Sequence, residues 1–205
     1  YGAELHLCGA GLESALNKPL IYLATVRQVL QHRVTRGRTP RLIPPGGSSP
    51  VGVVGYVNAA YELAQQIALG ELPEPDLIYV ACGTMGTAAG LILGLKAAGL
   101  RCRVVCVQVT GGSYVNAGGM VNVIDRTSAL LRSLDDSFPR FAVQPSEFDV
   151  RPGYLGERYA RFTAAGMAAV ALMKQSEDIA LEGTYTGKTL AALVDDVRSG
   201  AVAEK

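Results

Sequence analysis

Two apolar runs constrain this chain more than any other feature. Residues 77 to 82 (Leu-Ile-Tyr-Val-Ala-Cys) and 103 to 109 (Arg-Val-Val-Cys-Val-Gln-Val) are nearly continuous in hydrophobic side chains. Between them lie Gly83-Thr84-Met85-Gly86-Thr87-Ala88-Ala89-Gly90 and a stretch with helical spacing over about residues 87 to 98. Short runs without polar alternation are buried on both faces, as strands of a parallel sheet are. Strand, helix, strand at these lengths is a βαβ unit, which implies an α/β fold with an open, parallel-rich sheet flanked by helices.

The alternation continues on both sides. Short strands are expected at 3–8 and 41–43, a short edge strand at 141–143, and helices at 19–34, 51–69, 121–134, 158–174 and 187–198. Pro19 suits a helix's first turn. The segment Pro44-Pro45-Gly46-Gly47-Ser48-Ser49-Pro50 is expected to hold no regular structure.

Composition narrows the function classes. Of 205 residues, 49% are hydrophobic and 24 are glycine, as close-packed helices on a buried sheet require. A formal net charge of +1 offers no footprint for nucleic acid or an anionic membrane surface, so the expected partner is a small molecule. No stretch of about twenty apolar residues reads as a membrane span. Cys8, Cys82, Cys102 and Cys106 form no C-x-x-C pair, and His6 and His32 lie far from them, so no metal site is expected. Cys102 and Cys106, on one strand, would share a face, and the reading is buried, reduced thiols in a cytoplasmic protein.

Three segments could carry chemistry. At Gly83-Thr84-Met85-Gly86-Thr87 a buried strand ends and a helix begins, so unpaired N–H groups and two hydroxyls suit a phosphate monoester. A tight turn without a ligand is the alternative, since glycine is common at such turns. The G-x-x-G-x-x-x-G spacing, and Gln108 rather than an acid after the next strand, argue against a dinucleotide site, and no Gly-Lys-Ser/Thr marks a P-loop. In the second segment, Ser48 and Ser49 precede a helix, where a helix cap is the plainer reading. In the third, Glu182-Gly183-Thr184-Tyr185-Thr186-Gly187-Lys188, a phenol, hydroxyls and an amine open the last helix. Lys188 stands in a first turn that the helix dipole does not favour for a cation, which hints at an anionic neighbour.

Together these segments resemble the pyridoxal-phosphate family that contains D-cysteine desulfhydrase and 1-aminocyclopropane-1-carboxylate deaminase. Ile43 to Gly52 is similar to the family's I-P-P-G-G-S-S-P-x-G stretch, and Gly55-Tyr56-Val57-Asn58-Ala59 to its Gly-Tyr-x-Asn-Ala. Thr184-Tyr185-Thr186-Gly187-Lys188 resembles its Val-Tyr-Thr-Gly-Lys signature, and Pro152-Gly153-Tyr154 a segment bordering the substrate pocket. The resemblance implies a fold-type-II enzyme, with residues 1–48 the remnant of the smaller domain and 49–205 most of the larger, cofactor-binding one. It implies pyridoxal 5'-phosphate as cofactor, its phosphate held by Gly83, Thr84, Met85, Gly86 and Thr87 and its pyridine nitrogen facing Thr186. Tyr185 would transfer a proton, while Ser48, Ser49 and Tyr154 would border the substrate.

A hydroxyl at 186, where the deaminase version has glutamate, favours desulfhydrase-type β-elimination on a small amino acid over ring opening. The family's Schiff-base lysine, in a Gly-Asn-Lys-x-Arg segment, is absent, since Lys18, Lys96, Lys174, Lys188 and Lys205 all lack that context. The final His-Thr-Gly-Gly turn is absent too. The chain is therefore expected to be an internal fragment truncated at both ends, inactive by itself, of a homodimeric parent. A non-catalytic phosphate-binding module or degenerate homologue is the alternative. Met85 in the cup, Glu182 before the signature and the segment after Tyr154 depart from the family's pattern, so the pocket should differ from both named enzymes.

Overall fold

The computed structural model describes residues 17–202. The chain divides into two compact units, 1–43 and 44–205. In the first, α1 (Asn17–Arg36) presents Leu23, Val26, Leu30 and Val34 along its length. The strand expected at 41–43 does not form: Leu42 and Ile43 are exposed, and the prolines at 40 and 44 remove the flanking N–H groups that a ladder would use. The strand expected at 3–8 lies outside the described residues.

The second unit is built on three parallel strands in the order β1 (Leu77–Cys82), β2 (Arg103–Gln108) and β3 (Phe148–Arg151). Ile78 pairs with Val104 and Val104 with Phe148, so Ile78, Val80, Cys82, Val104, Cys106, Phe148 and Val150 share one face. That face packs with Leu93, Met120 and Ile124 of α3 (Gly86–Ala97) and α4 (Ala117–Leu134), and with Val53 and Val57 of α2 (Pro50–Ala68), in one continuous core. Helices α2 and α3 approach closely because α3 carries glycine where they meet. A Cβ at Gly94 would lie 2.6 Å from the Val57 carbonyl oxygen.

The opposite face turns toward α6 (Thr186–Arg198), which packs beside α5 (Ala164–Glu177). Here the contacts are polar as well as apolar. Tyr79 donates to Asp196 Oδ2 at 2.6 Å, and Arg151 forms an ion pair with the same buried carboxylate. Burial, followed by the bond to Asp196, pushes the Tyr79 phenol far above its ordinary value.

Several expected elements change. The edge strand at 141–143 is replaced by β3, five residues or more further on. Lys96 Nζ donates to the Ala142 carbonyl, and a 3-10 turn over Pro145–Glu147, closed by Gln144 and Glu147, redirects the backbone. The helix expected at 158–174 begins only at Ala164, because Thr163 Oγ1 caps it by accepting from Gly166 N at 3.0 Å and Ala160 stands at φ +61°. The helix expected at 121–134 starts at Ala117, where Asn116 is the cap. A single 3-10 turn over Pro45–Gly47 occupies the segment expected to be irregular. Cys82 and Cys106 are buried free thiols, whereas Cys102 lies half-buried just before β2 and shares no strand with Cys106. Cys8 lies outside the described residues. Among those residues no helix is long and apolar enough to cross a membrane, and no His/Cys/Asp/Glu group could hold a metal ion.

Candidate functional site

The β1–α3 turn brings two sequence segments together. Ser48 and Thr84 hydroxyls hydrogen-bond at 2.7 Å although 36 residues separate them. Thr110 Oγ1 donates to the Gly83 carbonyl at 2.7 Å, which fixes the turn from the β2 side. Met85 enters α3 in the left-handed conformation at φ +68°, and no side chain caps the helix. The first intrahelical bond is Ala89 N to Met85 O, so the N–H groups of Gly86, Thr87 and Ala88 open outward from the helix ladder. The Thr87 hydroxyl has no protein partner among the described residues. The Met85 side chain packs against the core and would meet a Cβ at Gly119 at 2.9 Å, so glycine there makes room for it.

Glycine is required around these hydroxyls. A Cβ at Gly46 would lie 2.1 Å from Thr84 Oγ1, and one at Gly86 would lie 2.6 Å from Ser48 Oγ. The result is a cradle of N–H and O–H groups at a helix N-terminus, which suits a phosphate monoester. Ser49 stands apart from the cradle, since it is the N-cap of α2 and accepts from Gly52 N at 3.2 Å.

The second cluster lies where α6 begins. Glu182 accepts from the backbone N–H groups of Thr184 (2.6 Å), Tyr185 (2.7 Å) and Thr186 (2.6 Å). Partial burial pushes this carboxyl up, but those N–H bonds together hold it below its ordinary value. Thr186 Oγ1 accepts from Glu182 N at 2.9 Å and lies 3.2 Å from Glu182 Oε1. Tyr185 points outward and its hydroxyl pairs with that of Tyr159. The bond from Tyr159, with burial second, raises the Tyr185 phenol to about 12.

Tyr159 is the residue that sequence reasoning missed, because it fell within a stretch read as helix. The cap signal at Thr163 could have freed it. Tyr154, expected at the substrate, turns its hydroxyl to Asp195 Oδ2 at 3.1 Å. Lys188 is fully buried at 0% exposure, and Nζ donates to the Leu155 carbonyl at 2.8 Å. Burial lowers its basicity, against the pull of Glu182.

A family model described as "Pyridoxal-phosphate dependent enzyme" matches residues 1–205. A Pyrococcus horikoshii protein provisionally named 1-aminocyclopropane-1-carboxylate deaminase is 33% identical over 178 residues, covering 87% of this chain and 50% of its own length. A Klebsiella pneumoniae D-cysteine desulfhydrase is 34% identical over 162 residues, covering 79% of this chain and 46% of that enzyme. A solved structure described as an ACC deaminase homologue superposes with a TM-score of 0.73 at 30% identity, over 96% of this chain and 55% of its own. The chain thus spans about half the length of the curated relatives it matches.

Proposed function

The chain belongs to the pyridoxal-phosphate dependent enzymes, and from that premise we propose that its parent protein is a lyase or deaminase acting on a small amino acid. D-cysteine desulfhydrase-like β-elimination is favoured over aminocyclopropane-carboxylate deamination. The observation that carries the reading is the uncapped N-terminus of α3 with the Ser48–Thr84 hydroxyl pair at its mouth.

The residues present fit the phosphate end of the cofactor. Gly46 and Gly86 leave a cradle that any Cβ would fill, and its donors are all N–H and O–H groups with no carboxylate among them. The N–H groups of Gly86, Thr87 and Ala88, with the hydroxyls of Ser48, Thr84 and Thr87, would hold the phosphate. Bound there, the cofactor supplies an electron-withdrawing ring that makes the α-proton of an amino acid removable. Thr186 would stand by the ring nitrogen and, being a hydroxyl, leave it largely unprotonated. That weaker electron sink suits loss of a thiol from the β-carbon better than opening of a cyclopropane ring. Tyr185 and Tyr159 share one hydrogen bond between phenol oxygens, and the Tyr185 phenol, raised to about 12, keeps its proton at neutral pH. The pair is therefore poised to deliver a proton at Tyr185 Oη rather than to take one.

One observation favours the deaminase reading. Glu182 Oε1 brings a carboxylate to 3.2 Å from the Thr186 hydroxyl. That carboxylate, however, already accepts three backbone N–H bonds, so it serves the helix first.

This chain, lacking the family's lysine segment, would bind the cofactor reversibly and turn nothing over, and the intact parent would be a dimer. Equilibrium dialysis with pyridoxal phosphate should give binding that inorganic phosphate competes away, with no pyruvate or sulfide from D-cysteine. Absence of phosphate-competed binding would overturn the cofactor reading. A full-length parent that prefers 1-aminocyclopropane-1-carboxylate to D-cysteine would overturn the choice of substrate.

A further inference from the structure

We infer that Lys188 is a positioning residue: its buried ammonium, bonded to the Leu155 carbonyl, fixes the 152–163 loop along α6 so that Tyr159 meets Tyr185. The inference rests on the reading that Tyr185 handles the proton.

The loop has little reason to hold one shape by itself. Residues 152 to 163 contain no helix or strand, and the backbone turns through the left-handed region at Gly153 (φ +102°), Gly156 (φ +77°) and Ala160 (φ +61°). The last of these is unfavourable for a residue with a Cβ, so neighbouring contacts must impose it. Such contacts come from α6 and its N-cap residue, Tyr185. Tyr154 reaches Asp195, Leu155 reaches Lys188, and Tyr159 reaches Tyr185. Lys188 and Asp195 are seven residues apart, two helical turns, so they share a face of α6. Along that face the Lys188 anchor falls between the other two contacts and is the buried one.

A lysine is a costly choice for this position unless the amine is needed. The helix dipole disfavours a cation in the first turn, and burial disfavours any charge. Glu182 is the neighbouring carboxylate, but its oxygens are committed to the amides of Thr184, Tyr185 and Thr186. Packing alone would be served by Met or Leu. The stem runs past Gly166, whose missing side chain leaves the path open: a Cβ there would lie 3.4 Å from Lys188 Cγ. At the end of that path the bond to Leu155 O is what the amine contributes.

The test needs no cofactor. In the chain carrying 3-fluorotyrosine the phenols titrate lower, so Tyr185 can be followed by fluorine NMR at a milder pH. Its signal is assigned with Tyr185→Phe, and Tyr159→Phe gives the reference without the partner. In the native ring Tyr185 is held at about 12 by Tyr159, burial, and the charges of Tyr159 and Glu182, against an ordinary 10.0. We expect Lys188→Met to lose more than half of that elevation, as Tyr159→Phe should. A folded Lys188→Met protein whose Tyr185 titrates as in the unsubstituted chain would overturn the inference, since a lysine that merely fills space moves the melting temperature and not this midpoint. Should Lys188→Met not fold, hydrogen exchange in the unsubstituted chain decides. Amides 153–160 exchanging together with the start of α6 support the anchor, and independent exchange of the loop refutes it. Pyridoxal phosphate binding, measured separately, reports on the cofactor reading and leaves the tyrosine result standing either way.

Discussion

Helices α3 and α6 begin in similar ways, each after a glycine-containing turn, yet their N-termini are opposites. Helix α3 is entered through Met85 with no side chain over its first amides. Helix α6 is closed from within: the Glu182 carboxylate takes the N–H of Thr184, Tyr185 and Thr186, and its carbonyl takes that of Gly187. A helix N-terminus carries the equivalent of about half a positive charge. Where the protein supplies its own anion, an external one gains little, and where it supplies none the field remains for a ligand. One carboxylate thus separates an open helix terminus from a closed one.

The sharpest way to break the comparison is to close α3. Gly86→Val puts a side chain where even a Cβ would lie 2.6 Å from Ser48 Oγ and 3.3 Å from Ser48 Cα. Several charge-assisted N–H contacts at ~1.5–3 kcal/mol each would be blocked, so pyridoxal phosphate affinity should fall roughly 100-fold or more. Equilibrium dialysis checks this, with circular dichroism to confirm that α3 still forms. Undiminished binding would mean that the open terminus is not the anion site.

A gentler test separates hydroxyls from amides. Ser48→Ala and Thr84→Val should each weaken cofactor binding by about 10- to 100-fold, the worth of one hydrogen bond to a charged group. Because the two hydroxyls bond each other at 2.7 Å, the double variant should lose less than the product of the single losses. Strict multiplicativity would show that the pair does not act on the phosphate as a unit.

What could be read from sequence follows the same physical division. β1 and β2 were legible because their apolar runs are nearly unbroken, with β2 buried along its centre and β1 half-buried. Helices α2, α3 and α6 were legible to within a residue at their starts because proline, serine or glycine marks the entry. β3 was hidden because Asp149 and Arg151 break its pattern, and their partners, Arg103 and Asp196, are distant in sequence. The stretch from Tyr159 to Met173 showed helical spacing, but Thr163 and the left-handed Ala160 detach its first residues as a loop. That loop delivers Tyr159 to Tyr185, a pairing that spacing alone does not disclose. For Lys188 the sequence held a hint, a cation in a first turn, but its burial against Leu155 O depends on a backbone carbonyl that no side-chain pattern encodes.

The smallest expected effect tests the closed terminus. Glu182 is an exposed side chain, so solvent screens much of what its charge contributes, and Glu182→Gln should cost only about 1 kcal/mol at neutral pH. The pH dependence gives that small number its meaning. Once the N–H bonds to Thr186, Thr184 and Tyr185 outweigh burial, the folded-state pKa lies below the unfolded one. The stabilisation is then fully present above the ordinary carboxylate range and is lost as pH falls through the folded value. Urea unfolding at neutral pH should therefore separate the unsubstituted chain from Glu182→Gln, and the separation should shrink steadily below about pH 4. A gap that persists unchanged in acid would show that shape rather than charge closes α6. The contrast with α3 would then rest on the glycine cradle alone.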